Sequence, residues 1–91
     1  MVKDYRSKTK IIADILESIN QQGHAKPTKI LVDANLSYDR LVKYLDMLVE
    51  KKLVNRVENS ETMYVLTEKG LEFLMEYKRF ERFAAAFGLR L

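Results

Sequence analysis

The hydrophobic period of this chain changes twice, and that double change restricts its fold more than any other feature. Up to residue 51 the apolar side chains recur at the helical spacing of about 3.6. Across "LVNRVENSETMYVLT", residues 53–67, they alternate instead, which is the habit of short half-buried strands. From residue 68 the helical spacing returns. Such a chain folds as helices carrying one small hairpin, and 91 residues are enough for one domain with a modest core.

The punctuation places the elements. A first helix is expected over residues 8–20, capped by Ser7, whose hydroxyl can accept from a free amide of the first turn. Ile11, Ile12, Ile15, Leu16 and Ile19 form its apolar stripe, and Gly23 stops it. "HAKPTKILVDANLS" holds a second, short helix. Pro27 suits its first turn, where a missing N–H costs nothing. Ile30, Leu31 and Ala34 give it an inner face, and Asn35, tolerant of the left-handed region, ends it. Leu36 is the apolar anchor of a three-residue turn, and Ser37 caps a third helix over residues 38–51.

On that helix Tyr38, Leu41, Val42, Leu45, Leu48 and Val49 share one side. Asp39, Arg40, Lys43, Asp46, Met47 and Glu50 share the other, with Tyr44 at the boundary. In the hairpin Val54, Arg56 and Glu58 alternate with Asn55 and Val57; Asn59, Ser60 and Glu61 turn, and residues 63–66 return. A short strand near Ala25 and Lys26 is expected as a third strand. Thr67 caps a last helix with Glu68 in its first turn, favourable near the positive helix end, running to Phe87 with Gly88 at its stop. The order helix, helix, turn, helix, hairpin, helix is that of a winged helix-turn-helix with a C-terminal helix: an α+β fold, mostly helical. We divide the chain into a winged helix-turn-helix at residues 1–70, with a basic arm at 1–7, a C-terminal helix at 68–87 and a tail at 88–91.

Composition narrows the function. Apolar residues make up 47% and charged residues 32%, a globular balance. The net charge is +3, with Lys3, Arg6, Lys8 and Lys10 clustered early and Lys51, Lys52 and Arg56 clustered mid-chain. A basic balance favours anionic partners, either nucleic acid or a membrane surface. No apolar run approaches the ~18 residues that span a bilayer, and residues 1–4 lack the apolar segment of a signal peptide. With no cysteine there is neither a disulfide framework nor a thiolate metal site. A cytoplasmic protein is expected. His24 is the only histidine, there is no Gly-rich phosphate loop, and the carboxylates sit beside Lys and Arg on helix surfaces. We expect no enzyme, no metal and no cofactor.

"KPTKILVDANLSYDRLVKYLDMLVEKKLV" followed by "YVLTEKG" resembles the small archaeal winged-helix proteins related to the Sulfolobus ten-kilodalton chromatin protein. The resemblance covers roughly residues 7–77; the "ANLSY…YL…L…KKLV" run is fairly specific, whereas "LTEKG" is shared by many winged-helix regulators. It implies a double-stranded DNA-binding protein, a transcription regulator or nucleoid component, dimerising through the C-terminal helix as an antiparallel coiled coil. Two features depart from the family: a shorter last helix, and an acid, Glu61, at the hairpin tip in place of Lys or Arg.

In helix-turn-helix docking the second helix of the motif enters the major groove, its early residues meeting base edges. Mapped here, the DNA-facing candidates are Ser37, Tyr38, Arg40, Lys43 and Tyr44, with Arg40 the base reader because its fork matches the two acceptors of guanine. Lys26, Thr28 and Lys29 at the start of the second helix, and Arg56 on the first wing strand, are candidates for backbone phosphate. A merely solvated mixed-charge face is the competing interpretation, and with it a winged-helix protein-interaction module that does not bind DNA. Asp39, Asp46, Glu50 and Glu61 speak for that alternative.

In "LEFLMEYKRFERFAAAFGL", Leu71 and Leu74, with Met75, are expected to close the domain core. Phe73, Tyr77, Phe80, Ala84 and Phe87 follow heptad spacing, the seam of a coiled coil, and are expected to face a second copy. The competing arrangement folds this helix back over the first and buries the seam internally. A membrane-surface role for residues 71–91 fits less well, because Glu72, Glu76 and Glu81 interrupt the basic polar face it needs.

Overall fold

The computed structural model describes residues 4–91. Lys3, part of the expected basic arm, lies outside the described residues. Six elements follow in order: α1 Lys8–Gln22, α2 Pro27–Ala34, α3 Tyr38–Glu50, β1 Val54–Glu58, β2 Thr62–Leu66 and α4 Glu68–Ala86.

The starts of α1, α3 and α4 are set by hydroxyl caps, whereas α2 starts on Pro27 with no side-chain cap. Ser7 accepts from Lys10 N at 3.0 Å, Ser37 from Arg40 N at 3.4 Å, and Thr67 from Gly70 N at 2.9 Å. Helix α1 extends past the expected end to Gln22, and Gly23 then closes it with φ 77°, donating to Ile19 O at 2.9 Å. Asn35 takes the left-handed conformation, φ 52° and ψ 58°, which turns the chain between α2 and α3 and sends Leu36 into the core.

β1 and β2 pair antiparallel from Val54 opposite Leu66 to Glu58 opposite Thr62. The expected third strand shrinks to one residue. Ala25 exchanges hydrogen bonds with Tyr64 at 2.8 and 2.9 Å, and Pro27, which cannot donate to a ladder, begins α2 immediately afterwards. Beneath this corner lies one core, built on Ile15, Leu16 and Ile19 of α1, Ile30 of α2, Leu41, Leu45 and Leu48 of α3, Val54 of β1 and Leu74 of α4.

Two residues of α3 exchange the sides expected of them. Tyr38, at the helix start, stands out in solvent, whereas Met47 is half-buried against the core. The "LTEKG" stretch has a clear physical reason. Thr67 N donates to Leu53 O at 3.1 Å and its hydroxyl donates to Lys52 O at 2.7 Å, so the start of α4 is tied to the turn between α3 and β1. Gly70 then lies so close that a Cβ there would sit 2.0 Å from Leu53 O. This glycine is required for approach, not for an unusual dihedral.

Helix α4 corrects two expectations. Of the three residues expected to close the core only Leu74 does so; Leu71 and Met75 are exposed. The heptad seam is split as well. Tyr77 packs partly against the core and Ala84 is only 4% exposed, whereas Phe73, Phe80 and Phe87 are 36%, 57% and 68% exposed. The reason is the way α4 lies along α1, fastened by Lys78 to Glu17 at 2.5 Å and by Lys10 to Glu81 at 4.0 Å, which turns one edge of the seam inward. The outward stripe gains Phe83, absent from the expected seam, whose ring lies 6.4 Å from Phe80 and 5.1 Å from Phe87. Among the described residues no helix is long and apolar enough to cross a membrane.

Candidate nucleic-acid interface

The outward face of α3 is presented by packing on its opposite side: Leu41, Leu45 and Leu48 are buried, so Arg40 and Lys43 point away from the core. Ser37, Tyr38, Arg40 and Lys43 are exposed and Tyr44 is half-buried, as its boundary position demands. Lys8, at the start of α1, joins Arg40, Lys43, Tyr44 and Met47 around an open groove of about 390 Å³. In the sequence Lys8 is simply part of a terminal basic run. Its sole early signal is its place one residue after the Ser7 cap, where a side chain leaves the helix near its start.

The remaining cations are less free than their sequence positions suggest. Arg40 Nη1 donates to Asp4 Oδ2 at 3.0 Å. Lys26 pairs with Glu61 of the wing tip at 3.3 Å, and Lys29 pairs with Asp33 at 2.7 Å. Lys29, together with the Ser18 hydroxyl, holds the Asp33 carboxyl below the usual carboxylate range. Arg56, expected to reach a phosphate, instead bridges the wing to α3. Its Nε donates to the Tyr64 hydroxyl at 3.2 Å, its Nη2 donates to Asp46 at 3.0 Å, and its guanidinium lies 5.7 Å from the Tyr64 ring centre. Among the described residues Lys43 makes no ion pair. Thr28 is exposed at the start of α2.

The described part of the expected arm, residues 4–7, also differs from an open basic tail. Arg6 is turned back on the protein, donating to Asp14 at 2.9 Å, Ala34 O at 2.6 Å and Asn35 O at 3.1 Å. Its guanidinium caps the carbonyls at the turn of the motif, a use that leaves it unavailable as a flexible phosphate contact. Arg6 beside Asp4 holds that carboxyl well below the usual carboxylate range. Among the described residues no three His, Cys, Asp or Glu side chains converge as a metal site.

The profile of the winged helix-turn-helix family matches residues 5–85. The chain belongs to this family. Solved structures similar to it include Sso10a-2, a DNA-binding protein from Sulfolobus solfataricus, 28% identical over 90% of this chain and 85% of that one, with a TM-score of 0.79. The oxidised form of MarR from E. coli is 24% identical over 71% of this chain and 48% of that one, with a TM-score of 0.66. MepR, a transcription regulator of a Staphylococcus aureus multidrug efflux pump, is 18% identical over 77% of this chain and 55% of that one, with a TM-score of 0.69. This chain thus corresponds to most of the Sulfolobus protein, to which it is related, and to about half of the longer MarR and MepR chains, with which it shares the fold. No curated protein sequence matches.

Proposed function

We propose that this protein is a homodimeric double-stranded DNA-binding protein, an archaeal transcription regulator or nucleoid-associated protein acting in the cytoplasm and using no catalytic chemistry. The observation that carries the reading is the outward face of α3. In a winged helix-turn-helix frame it turns Arg40 and Lys43 to solvent, and Lys8 of α1 joins them around one groove. Arg40 reads a base edge; Lys43, Lys8 and the exposed Tyr38 meet the strand beside it. Lys26, Thr28, Lys29, Ser37, Tyr44 and Arg56 remain candidate contacts, with Lys26, Lys29 and Arg56 required to leave Glu61, Asp33 and Asp46 first. The exposed rings of Phe73, Phe80, Phe83 and Phe87 meet the same rings of a second copy, whereas Tyr77 and Ala84, turned inward, pack within the chain. A two-fold pair of α3 helices then addresses two half-sites about one DNA turn, ~34 Å, apart.

Anisotropy titration of a random-sequence duplex over a salt series tests this. Affinity falls steeply as salt rises, because phosphate neutralisation releases counterions, and no binding at about 50 mM salt sinks the reading. The pairing of Arg40, Lys26, Lys29 and Arg56 with carboxylates favours a second reading, a protein-interaction module without DNA. The double change Arg40→Ala with Lys43→Ala separates the two. The DNA reading expects duplex affinity to collapse. Unaltered affinity together with loss of a protein pull-down supports the second.

A further inference from the structure

The guanidinium of Arg40 is already engaged, and the way it is engaged carries an inference. Asp4 and Arg40 are far apart in the chain, yet Arg40 Nη1 donates to Asp4 Oδ2 at 3.0 Å. Asp4 is held in place by Arg6. The Arg6 backbone N and Nε each donate to Oδ1 at 3.0 Å, and Nη2 donates to Oδ2 at 2.8 Å. Arg6 in turn is clasped to Asp14 and to the carbonyls of Ala34 and Asn35. The stretch from Asp4 to Arg6 is therefore locked onto the turn of the helix-turn-helix. What it offers Arg40 is a fixed carboxylate, not a drifting counterion. Asp4 takes only one Nη group. Among the described residues the Nε and Nη2 groups of Arg40 make no hydrogen bond, and the Arg40 side chain lines the groove shared with Lys8 and Lys43.

A carboxylate and a phosphate oxygen offer a guanidinium the same thing, a compact anionic acceptor. A backbone phosphate that takes Arg40 from Asp4 exchanges one such acceptor for another and gains little. A base edge with two acceptors can use the Nε and Nη2 groups without displacing Asp4. We propose that Asp4, clasped by Arg6, is a specificity-determining residue that neutralises Arg40 toward backbone phosphate while leaving its free donors for a base. This rests on the DNA-binding reading of α3. Asp4 thereby weakens sequence-independent binding more than sequence-specific binding, and the two arginines have opposite tasks: Arg40 reads, and Arg6 holds the carboxylate that restrains it.

The test is Asp4→Asn measured against a random-sequence duplex by anisotropy, alone and combined with Arg40→Ala, with Glu72→Gln, exposed on α4, as a charge-matched control. Thermal melting checks that each variant folds. Asp4→Asn is expected to tighten binding about threefold to tenfold at ~0.1 M salt, and to steepen the dependence of log K on log salt by about 0.9, one added phosphate contact. In the Arg40→Ala background the same change is expected to have less than half that effect. Equal tightening in that background, or by Glu72→Gln, would assign the effect to net charge and overturn the proposal. Unchanged or weaker binding by Asp4→Asn, with the wild type binding duplex, overturns it while sparing the DNA reading. Absence of binding by both proteins overturns the DNA reading and this inference with it.

Discussion

Helices α3 and α4 each press one side into the same core and leave the other outside, but the two outer faces differ in kind. The face of α3 and its surroundings are charged. Arg40, Arg56 and Lys26 lie opposite Asp4, Asp46 and Glu61, and every carboxylate in these pairs comes from another element of the fold. The face of α4 is a row of exposed rings, Phe73, Phe80, Phe83 and Phe87. An exposed charge is content with water and a neighbouring carboxylate, and such a pair is worth only about 0–1 kcal/mol. A row of exposed rings finds no substitute in water. The first face can wait for a partner and release it; the second favours a lasting one. This difference matches the reversible contact proposed for α3 and the permanent contact proposed for α4.

The comparison requires both faces to be fixed in one body, and Gly70 is where that is decided. Gly70→Ala drives a Cβ into Leu53 O and is expected to cost about 3 kcal/mol in denaturant unfolding, with both faces disturbed together. Full stability would mean that α4 can slide on the wing. Next in size is the aromatic face. Phe80→Asp with Phe87→Asp is expected to halve the mass seen by light scattering while leaving circular dichroism intact, since both side chains are exposed. A dimer that survives this pair of changes breaks the assignment of permanence to α4. The charged face responds more mildly. Lys43→Ala is expected to weaken duplex binding several-fold and to flatten the salt slope by about 0.9, with the mass unchanged. A change in mass would show that the two faces are coupled.

The smallest effect sharpens what carboxylate pairing is worth. The folded Asp33 carboxyl titrates below its ordinary value because of Lys29 and Ser18. A depressed folded pKa stabilises the fold above the unfolded value of about 3.9, and this contribution is lost as pH falls through the lower folded value. Melting of wild type against Asp33→Asn should therefore show a gap at about pH 6 that closes toward pH 2. A gap independent of pH would assign Asp33 a role through its shape alone.

Local chemistry made much of this fold legible. Ser7, Ser37 and Thr67 cap as their types suggest, Asn35 turns left-handed where it should, and Pro27 opens α2, because each acts on amides within a few residues. The α3 face was legible for the same reason: a helix of known phase places Arg40 and Lys43 together. Tyr38 and Met47 depart from their expected sides because periodicity cannot say how far a neighbouring element reaches. The site was legible as a set of cations but not as a set of pairs. Nothing within a few residues of Arg40 points to Asp4, and nothing near Arg56 points to Tyr64 and Asp46 together.

What the sequence determined by itself was the order of elements, their caps and turns, and which side of α3 is apolar, all consequences of interactions between residues close in the chain. The tertiary structure alone decided that Gly70 abuts Leu53, that Tyr77 and Ala84 turn inward while Phe83 turns out, and that Asp4 meets Arg40. Those facts depend on how rigid elements are rotated against one another, and that rotation is set by the packing of the whole core, which no local stretch of the chain encodes.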